Sequence, residues 1–294
     1  MKNNLDIKLM NLKRRYFHFY LYCKWYPETR KILNENKKYK NKYQGKRCFV
    51  LGNGPSLKTE DLSALRDEYV FTVNQSVRLP QFKELKSNFH FWADPNFFRI
   101  DKNKPEDLEM LKTMLSVSDD NPDIQCFFPL QQIEFIKKFK IDQKQNVNFF
   151  YSNLISYDGY DKDFDFTRPI LGFGTVVHWC IAMAVYMGFS EIYLLGCDNT
   201  GIVVNIKSML KTNDDADYGY EVSENDKKRM EANLQNSSLE AYLDTYMLTI
   251  KDYRRLNEYC SRRKIKLVNC SSQTVIDSVP RMRLVDVLNN KAES

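Results

Sequence analysis

The chain has 294 residues, of which 43% are hydrophobic and 28% charged, so it can bury a substantial core, and one α/β domain carrying an insertion fits better than two independent domains. Its 44 basic and 38 acidic residues leave a formal charge of +6, an excess too mild to require nucleic acid as a partner. No apolar run approaches the roughly 18 residues of a membrane span, and the amino terminus lacks the apolar core of a signal peptide.

Up to about Gln44 the chain is basic and aromatic, running Lys13-Arg14-Arg15-Tyr16-Phe17-His18-Phe19-Tyr20-Leu21-Tyr22-Cys23-Lys24-Trp25-Tyr26 before Pro27. The pattern predicts a helical leader, residues 1–43, with aromatic residues on every face. Such a segment docks on its own domain, on a second copy of the chain, or in a bilayer interface where Trp and Tyr sit among lysines.

At Lys46 an α/β pattern begins. Cys48-Phe49-Val50-Leu51 reads as a buried parallel strand, and it breaks into Gly52-Asn53-Gly54-Pro55-Ser56-Leu57-Lys58. Ligands of open α/β sheets bind beyond the carboxyl ends of such strands. Gly52 and Gly54 would let backbone approach a phosphate or ribose, Asn53 supplies a donor and an acceptor, and Ser56 can cap the helix that follows. In all, strands are expected over Arg47–Leu51, Tyr69–Val73, Phe89–Ala93, Ile124–Pro129 and Val147–Tyr151, with an amphipathic helical stretch over Thr59–Arg66.

A second glycine block follows: Gly172-Phe173-Gly174-Thr175, an almost wholly apolar helix over Val176–Met187, Gly188-Phe189, then the strand Glu191-Ile192-Tyr193-Leu194-Leu195 ending in Gly196-Cys197-Asp198. Residues 200–238 are polar and read as a lid insertion; a long helix from Leu239 to Arg263 and a strand Lys266–Asn269 return to the sheet. The expected fold is therefore α/β, a mainly parallel Rossmann-like sheet with helices on both faces. Its domain would comprise 44–199 and 239–290, with the leader and lid outside it. The seven cysteines, Cys23, Cys48, Cys126, Cys180, Cys197, Cys260 and Cys270, contain no Cys-x-x-Cys pair and read as reduced core thiols of a cytoplasmic protein.

Taken in order, Gly52-Asn53-Gly54-Pro55-Ser56-Leu57, Asn74-Gln75, Asp94-Pro95-Asn96, Gly174-Thr175, Met187-Gly188-Phe189 and Glu191 to Asp198 resemble the bacterial sialyltransferases of glycosyltransferase family 42. They are more similar still to a related bacterial family that takes its name from a pterin pyrophosphokinase and is grouped with flagellin glycosyltransferases. Leu267-Val268-Asn269-Cys270-Ser271-Ser272 and Val279-Pro280-Arg281-Met282 fit that second group.

The resemblance implies a GT-A-like sheet and inverting transfer of an acidic sugar, sialic acid or a relative, from a CMP-activated donor to a surface glycan such as lipopolysaccharide or capsule. It implies no metal ion and no cofactor besides the donor. On that reading Gly52, Asn53, Gly54, Ser56, Asn74, Gln75, Asp94, Gly174, Thr175, Gly196 and Asp198 line the donor site. The family's lid histidine, its general base, has no counterpart here. The chain holds only His18, His90 and His178, and of these His178 is placed nearest the expected crevice. Asp215, Asp217 and Glu221 are alternative bases, while Tyr218 and Tyr220 are candidates to hydrogen-bond the departing phosphate.

Other chemistries are weaker. There is no P-loop, no His-Glu-x-x-His and no Gly-x-Ser-x-Gly elbow, and Asp163-Phe164-Asp165 has the Asp-x-Asp spacing of metal-dependent transferases without the strand that should precede it. A pterin pyrophosphokinase using ATP and Mg²⁺ and a non-catalytic nucleotide-binding subunit of a glycan assembly complex are the alternative functions. The expected location is cytoplasmic or peripheral on the inner face of the membrane.

Overall fold

The computed structural model of the protein describes residues 26–157, 163–203, 218–234 and 238–289, with single positions 12, 16, 20, 159 and 206. Seven parallel strands form the main sheet: β1 Arg47–Leu51, β2 Tyr69–Val73, β3 Phe89–Phe91, β4 Gln125–Pro129, β5 Asn146–Phe150, β8 Glu191–Leu195 and β9 Lys266–Asn269. Their order is β5-β4-β3-β2-β1-β8-β9, so the chain builds outwards from β1, then crosses back to lay β8 on the other side of β1. Strands β6, Ser152–Ser156, and β7, Ile170–Gly172, form a separate parallel pair.

Each central strand is apolar on both faces and feeds two cores. From β1, Cys48 and Val50 enter one core while Phe49 and Leu51 enter the other; from β8, Ile192 and Leu194 divide from Tyr193 and Leu195 in the same way. That is why these strands read as continuous apolar runs instead of alternating ones. Aromatic rings knit the first core across β2 to β5: Phe91 stacks on Phe127 with centroids 4.5 Å apart, and Phe71 meets Phe89 at 4.5 Å. Each such pair adds about 0.5–1.5 kcal/mol beyond its buried area.

Eight helices surround the sheet among the described residues: α1 Tyr26–Asn34, α2 Phe82–Leu85, α3 Pro105–Leu115, α4 Ile133–Lys138, α5 Val176–Tyr186, α6 Glu224–Leu234, α7 Leu239–Arg262 and α8 Leu284–Asn289. Helix α5 has no polar face because it lies between the sheet and α7. Helix α7 presents Thr249, Asp252, Tyr253, Leu256, Tyr259 and Cys260 to that core at helical spacing. The stretch expected to be one helix over Thr59–Arg66 is instead two 3₁₀ turns, Pro55–Thr59 and Leu62–Leu65, the second capped by Asp61 accepting from Ser63 N at 3.0 Å.

The last part of the expected leader, residues 33–43, packs on the α/β domain. Leu33 and Tyr39 are buried, Asn36 donates to the carbonyls of Phe149 at 2.7 Å and Phe166 at 2.9 Å, and Tyr43 stacks on Phe189 at 5.0 Å. The polar span 200–238, expected as a lid insertion, contains α6, which packs on α3 through charge pairs and amides. His18, Cys23, Asp214, Asp215 and Asp217 lie outside the described residues; the other six cysteines are buried and unpaired.

Candidate functional site

The strand order reverses between β1 and β8, where an open sheet usually leaves a ligand crevice. Here the chain fills that crevice itself. Gly52 N donates to Leu195 O and Gly54 N to Gly196 O, both at 2.8 Å. Asp198, buried, accepts from Ser56 N at 2.7 Å and from Ser56 Oγ at 2.5 Å.

The two glycines of the turn are required by this closeness. A Cβ at position 52 would sit 2.4 Å from Gly196 O, and one at position 54 would sit 2.5 Å from Asp198 Cγ. Gly196 is left-handed, at φ +60°, and its open side is filled by the Leu57 side chain. Gly52, Gly54, Ser56, Gly196 and Asp198, expected to approach phosphate and ribose, thus interlock two turns instead of lining a cavity. The correction has a simple cause: a glycine that lets a ligand approach and one that lets another strand end approach look alike in sequence.

The cavity lies one step along, over the carboxyl ends of β1, β2 and β3. This cleft of about 220 Å³ is lined by Asn53, Asn74, Gln75, Asp94, Asn96, Phe97, Met110, Tyr218, Tyr220, Asp226, Arg229 and Met230. Asn53 is fixed there, its Nδ2 donating to Val73 O at 3.2 Å and its Oδ1 accepting from Ser76 Oγ at 2.7 Å. Asn74, left-handed at φ 49°, carries an Oδ1 that is buried without a hydrogen-bond partner among the described residues. An unsatisfied buried acceptor costs about 1–3 kcal/mol unless something comes to meet it. Gln75 is buried and its Oε1 accepts from Arg78 at 2.9 Å.

The outer wall comes from the span that follows residue 217. Gly219 N donates to Asn53 O at 3.0 Å, which draws Tyr218 and Tyr220 over the strand ends. Their rings stack at 5.3 Å, and the Arg78 guanidinium lies over Tyr220 at 5.2 Å. Burial raises both phenols, so at neutral pH they remain protonated and able to donate. Arg78 is paired with Asp226, and Arg229 with Asp107 while donating to Asn96 O at 2.8 Å. Arg229, which lines the cleft, and Arg78, which lies over the Tyr220 ring, are therefore both ion-paired.

Asp94 closes the cleft at the end of β3. Its Oδ1 accepts from Asn96 N at 2.8 Å, and burial raises its carboxyl despite that bond and the nearby Arg229 and Arg99. Asn96, Phe97, Met110, Asp226, Arg229 and Met230 were not singled out from sequence as site residues. For α6 the signal was hidden by its polarity, although Asp226 and Arg229 stand three residues apart on one face.

Other expected members lie elsewhere. Gly174 and Thr175 begin α5 but do not line the cleft; a Cβ on Gly174 would be 2.9 Å from Thr249 N, so this glycine serves the approach of α7. Gly174 N also donates to Asp252 Oδ2 at 2.9 Å. Glu221 is exposed and offers only its carbonyl to Arg78, at 3.0 Å. Asp163 pairs with Arg263 at 2.9 Å and Asp165 accepts from Thr167, so the Asp-x-Asp is a surface turn away from the cleft.

His178, the histidine nearest the expected crevice, is inside the core. It is fully buried against Tyr253, with ring centroids 4.2 Å apart, and 3.8 Å from Asp252, and neither ring nitrogen has a hydrogen-bond partner among the described residues. Burial lowers its pKa from 6.5 to about 3. A base must reach the proton it takes, and this ring reaches no cavity surface. His90 is lowered to about 3 in the same way.

Groups held below their unfolded pKa contribute stability at neutral pH that is lost as pH falls from about 6.5 toward 3. Asp252, which burial raises to about 6, opposes them as pH falls through that value. His178→Phe keeps a ring on Tyr253 and should lose less stability than wild type over this window in urea titrations; an unchanged acid sensitivity would contradict the buried neutral state.

The profile of a family described as 6-hydroxymethylpterin diphosphokinase MptE-like matches residues 23–200 of the chain, through Asp198. The chain belongs to the MptE-like family. That match covers β1 to β8 and every cleft residue up to Met110, while α6 and α7 lie beyond it. No curated protein matches the sequence. Among solved structures, the MAf glycosyltransferase from Magnetospirillum magneticum AMB-1 is similar at 13% identity and a TM-score of 0.43, over 90% of this chain and 40% of that one. The chain thus spans about two fifths of that enzyme's length.

Proposed function

We propose that this MptE-like chain is a glycosyltransferase that moves an acidic sugar from a CMP-activated donor to a surface glycan, with the nucleotide in the cleft over β1, β2 and β3. The observation that carries the reading is the set of neutral groups at three successive strand ends, Asn53, Asn74, Gln75 and Asn96, facing Tyr218 and Tyr220. Amides read the edge of a base or sugar hydroxyls, and stacked phenols serve a ring face and a single phosphate.

A polyphosphate would ask for a different site. The N–H groups of Gly52, Gly54, Ser56 and Leu57 are all spent on protein acceptors, so this turn offers no cradle of free amides, and both wall arginines are paired. The family's description favours the second reading, pyrophosphoryl transfer from Mg²⁺-ATP to a hydroxymethylpterin, and that reaction would have to draw its cation ligands from Asp94 and Asp226.

In the transfer, Asp94 replaces His178 as the base. It takes the proton of the acceptor hydroxyl while the acceptor oxygen bonds to the anomeric carbon, the bond from that carbon to the phosphate oxygen breaks, and CMP leaves toward the Tyr218 and Tyr220 hydroxyls. Attack in line with departure inverts the centre. The raised Asp94 carboxyl is the stronger base for it.

Incubation with a CMP-activated acidic sugar in EDTA should release CMP, and Asp94→Asn should slow release at least about a hundredfold, within the usual range for losing a general base. Absence of CMP release together with Mg²⁺-dependent AMP formation from ATP and a hydroxymethylpterin would reverse the assignment. Neither product would make the chain a binding subunit.

A further inference from the structure

A second cleft is at the opposite pole. It measures about 500 Å³ and opens at the amino ends of β3 and β4, where Lys38, Lys42 and Lys86 stand around Tyr39 and Tyr43. Asp123 is the carboxylate among its lining residues. Nearby cations are paired: Arg47 with Glu68, Lys266 with Glu191 and Lys83 with Asp120. Lys38, Lys42 and Lys86 have no carboxylate within ion-pair distance among the described residues; Lys38 and Lys42 rest over the Tyr39 ring at 5.0 and 6.0 Å.

The chain concentrates cations here. Lys37, Lys38, Lys40, Lys42 and Lys46 are all exposed within ten residues of the sequence, next to the half-buried Tyr43. This is the composition that anionic headgroups attract, a lysine cluster interleaved with tyrosine at the level where ring and charge are both useful.

A second observation comes from the segment leading into α1. Leu12, Tyr16 and Tyr20 are helical, spaced by four residues, and each more than half exposed. Four-residue spacing is the spacing that places side chains on one side of a helix, and all three of these are apolar or aromatic. A basic patch alone gives weak membrane binding, and so does one shallow apolar insertion; the two together suffice for reversible attachment.

We infer that the amino pole of the sheet docks on an anionic phospholipid surface, with Lys38, Lys42 and Lys86 receiving headgroup phosphates and Leu12, Tyr16 and Tyr20 entering the interface. The nucleotide cleft is at the carboxyl pole, so docking leaves it turned away from the lipid and open to a soluble donor. The inference does not depend on which nucleotide that cleft binds.

Co-sedimentation of the full chain with phosphatidylserine–phosphatidylcholine vesicles tests it. Wild type should bind these and not pure phosphatidylcholine, and binding should weaken as salt rises, since exposed charges are screened over about 8 Å at physiological ionic strength. The triple change Lys38→Gln, Lys42→Gln, Lys86→Gln should weaken binding roughly fivefold per lysine and about a hundredfold in all, at unchanged thermal midpoint. Lys58→Gln with Lys228→Gln, at the other pole, should leave it intact.

Tyr16→Ser with Tyr20→Ser should weaken binding even at low salt. Equal binding to neutral vesicles, full binding by the lysine triple variant, or a dimer that this variant splits with no vesicle binding by wild type would overturn the inference.

Discussion

Asp198→Ala should lower stability by about 3 kcal/mol or more, because it removes the acceptor of two charge-assisted hydrogen bonds, each worth about 1.5–3 kcal/mol, at a fully enclosed position. The bonds are those from Ser56 N and Ser56 Oγ, and the carboxylate is 1% exposed. The same interlock predicts a large cost for Gly54→Ala, whose Cβ would be 2.5 Å from Asp198 Cγ and 2.7 Å from Gly196 O. Both variants should show lowered midpoints in denaturant titration. A stable Asp198→Ala protein that had merely lost nucleotide affinity would move this residue back into the site.

The second large effect should fall on binding and spare the fold. Asn74 has a left-handed backbone and an unpartnered buried Oδ1, so Asn74→Gly removes the amide while keeping a residue at ease at φ 49°. Affinity for the donor nucleotide should fall by about 1–3 kcal/mol, roughly 5- to 150-fold, with little change in thermal midpoint. Asn53→Ala should behave differently, since the Asn53 amide bonds Ser76 Oγ at 2.7 Å and Val73 O at 3.2 Å and its loss harms the fold and the cleft together. Equal nucleotide affinity in Asn74→Gly and wild type would remove Asn74 from the site.

The sheet was legible because its strands are buried on both faces: Cys-Phe-Val-Leu and Ile-Tyr-Leu-Leu have no polar alternation to confuse with a helix, and their ends were placed to the residue at Leu51 and Leu195. The short pair β6 and β7 had no such run and went unseen. Asn53, Asn74, Gln75 and Asp94 line one cleft because strand ends converge by topology. Gly52, Gly54, Gly196 and Asp198 hold two turns together, and tight packing of one turn against another uses the residues that a phosphate site uses. Helix α6 was missed because Arg229, Asn225 and Asp226 hold it by charge and amide contacts, to Asp107, Glu109 and Arg78, that leave no apolar period. His178 was singled out by elimination among three histidines, and a buried neutral imidazole leaves no mark in the sequence.

On the proposed function a cytidine nucleotide occupies the cleft over β1, β2 and β3 without help from a metal. Isothermal titration of CMP into the full chain and into Asn74→Gly, both in EDTA, measures it directly. Saturable binding to wild type is expected, with binding weakened at least about fivefold in the variant. Absence of CMP binding in EDTA, or equal affinity for the two proteins, would contradict it.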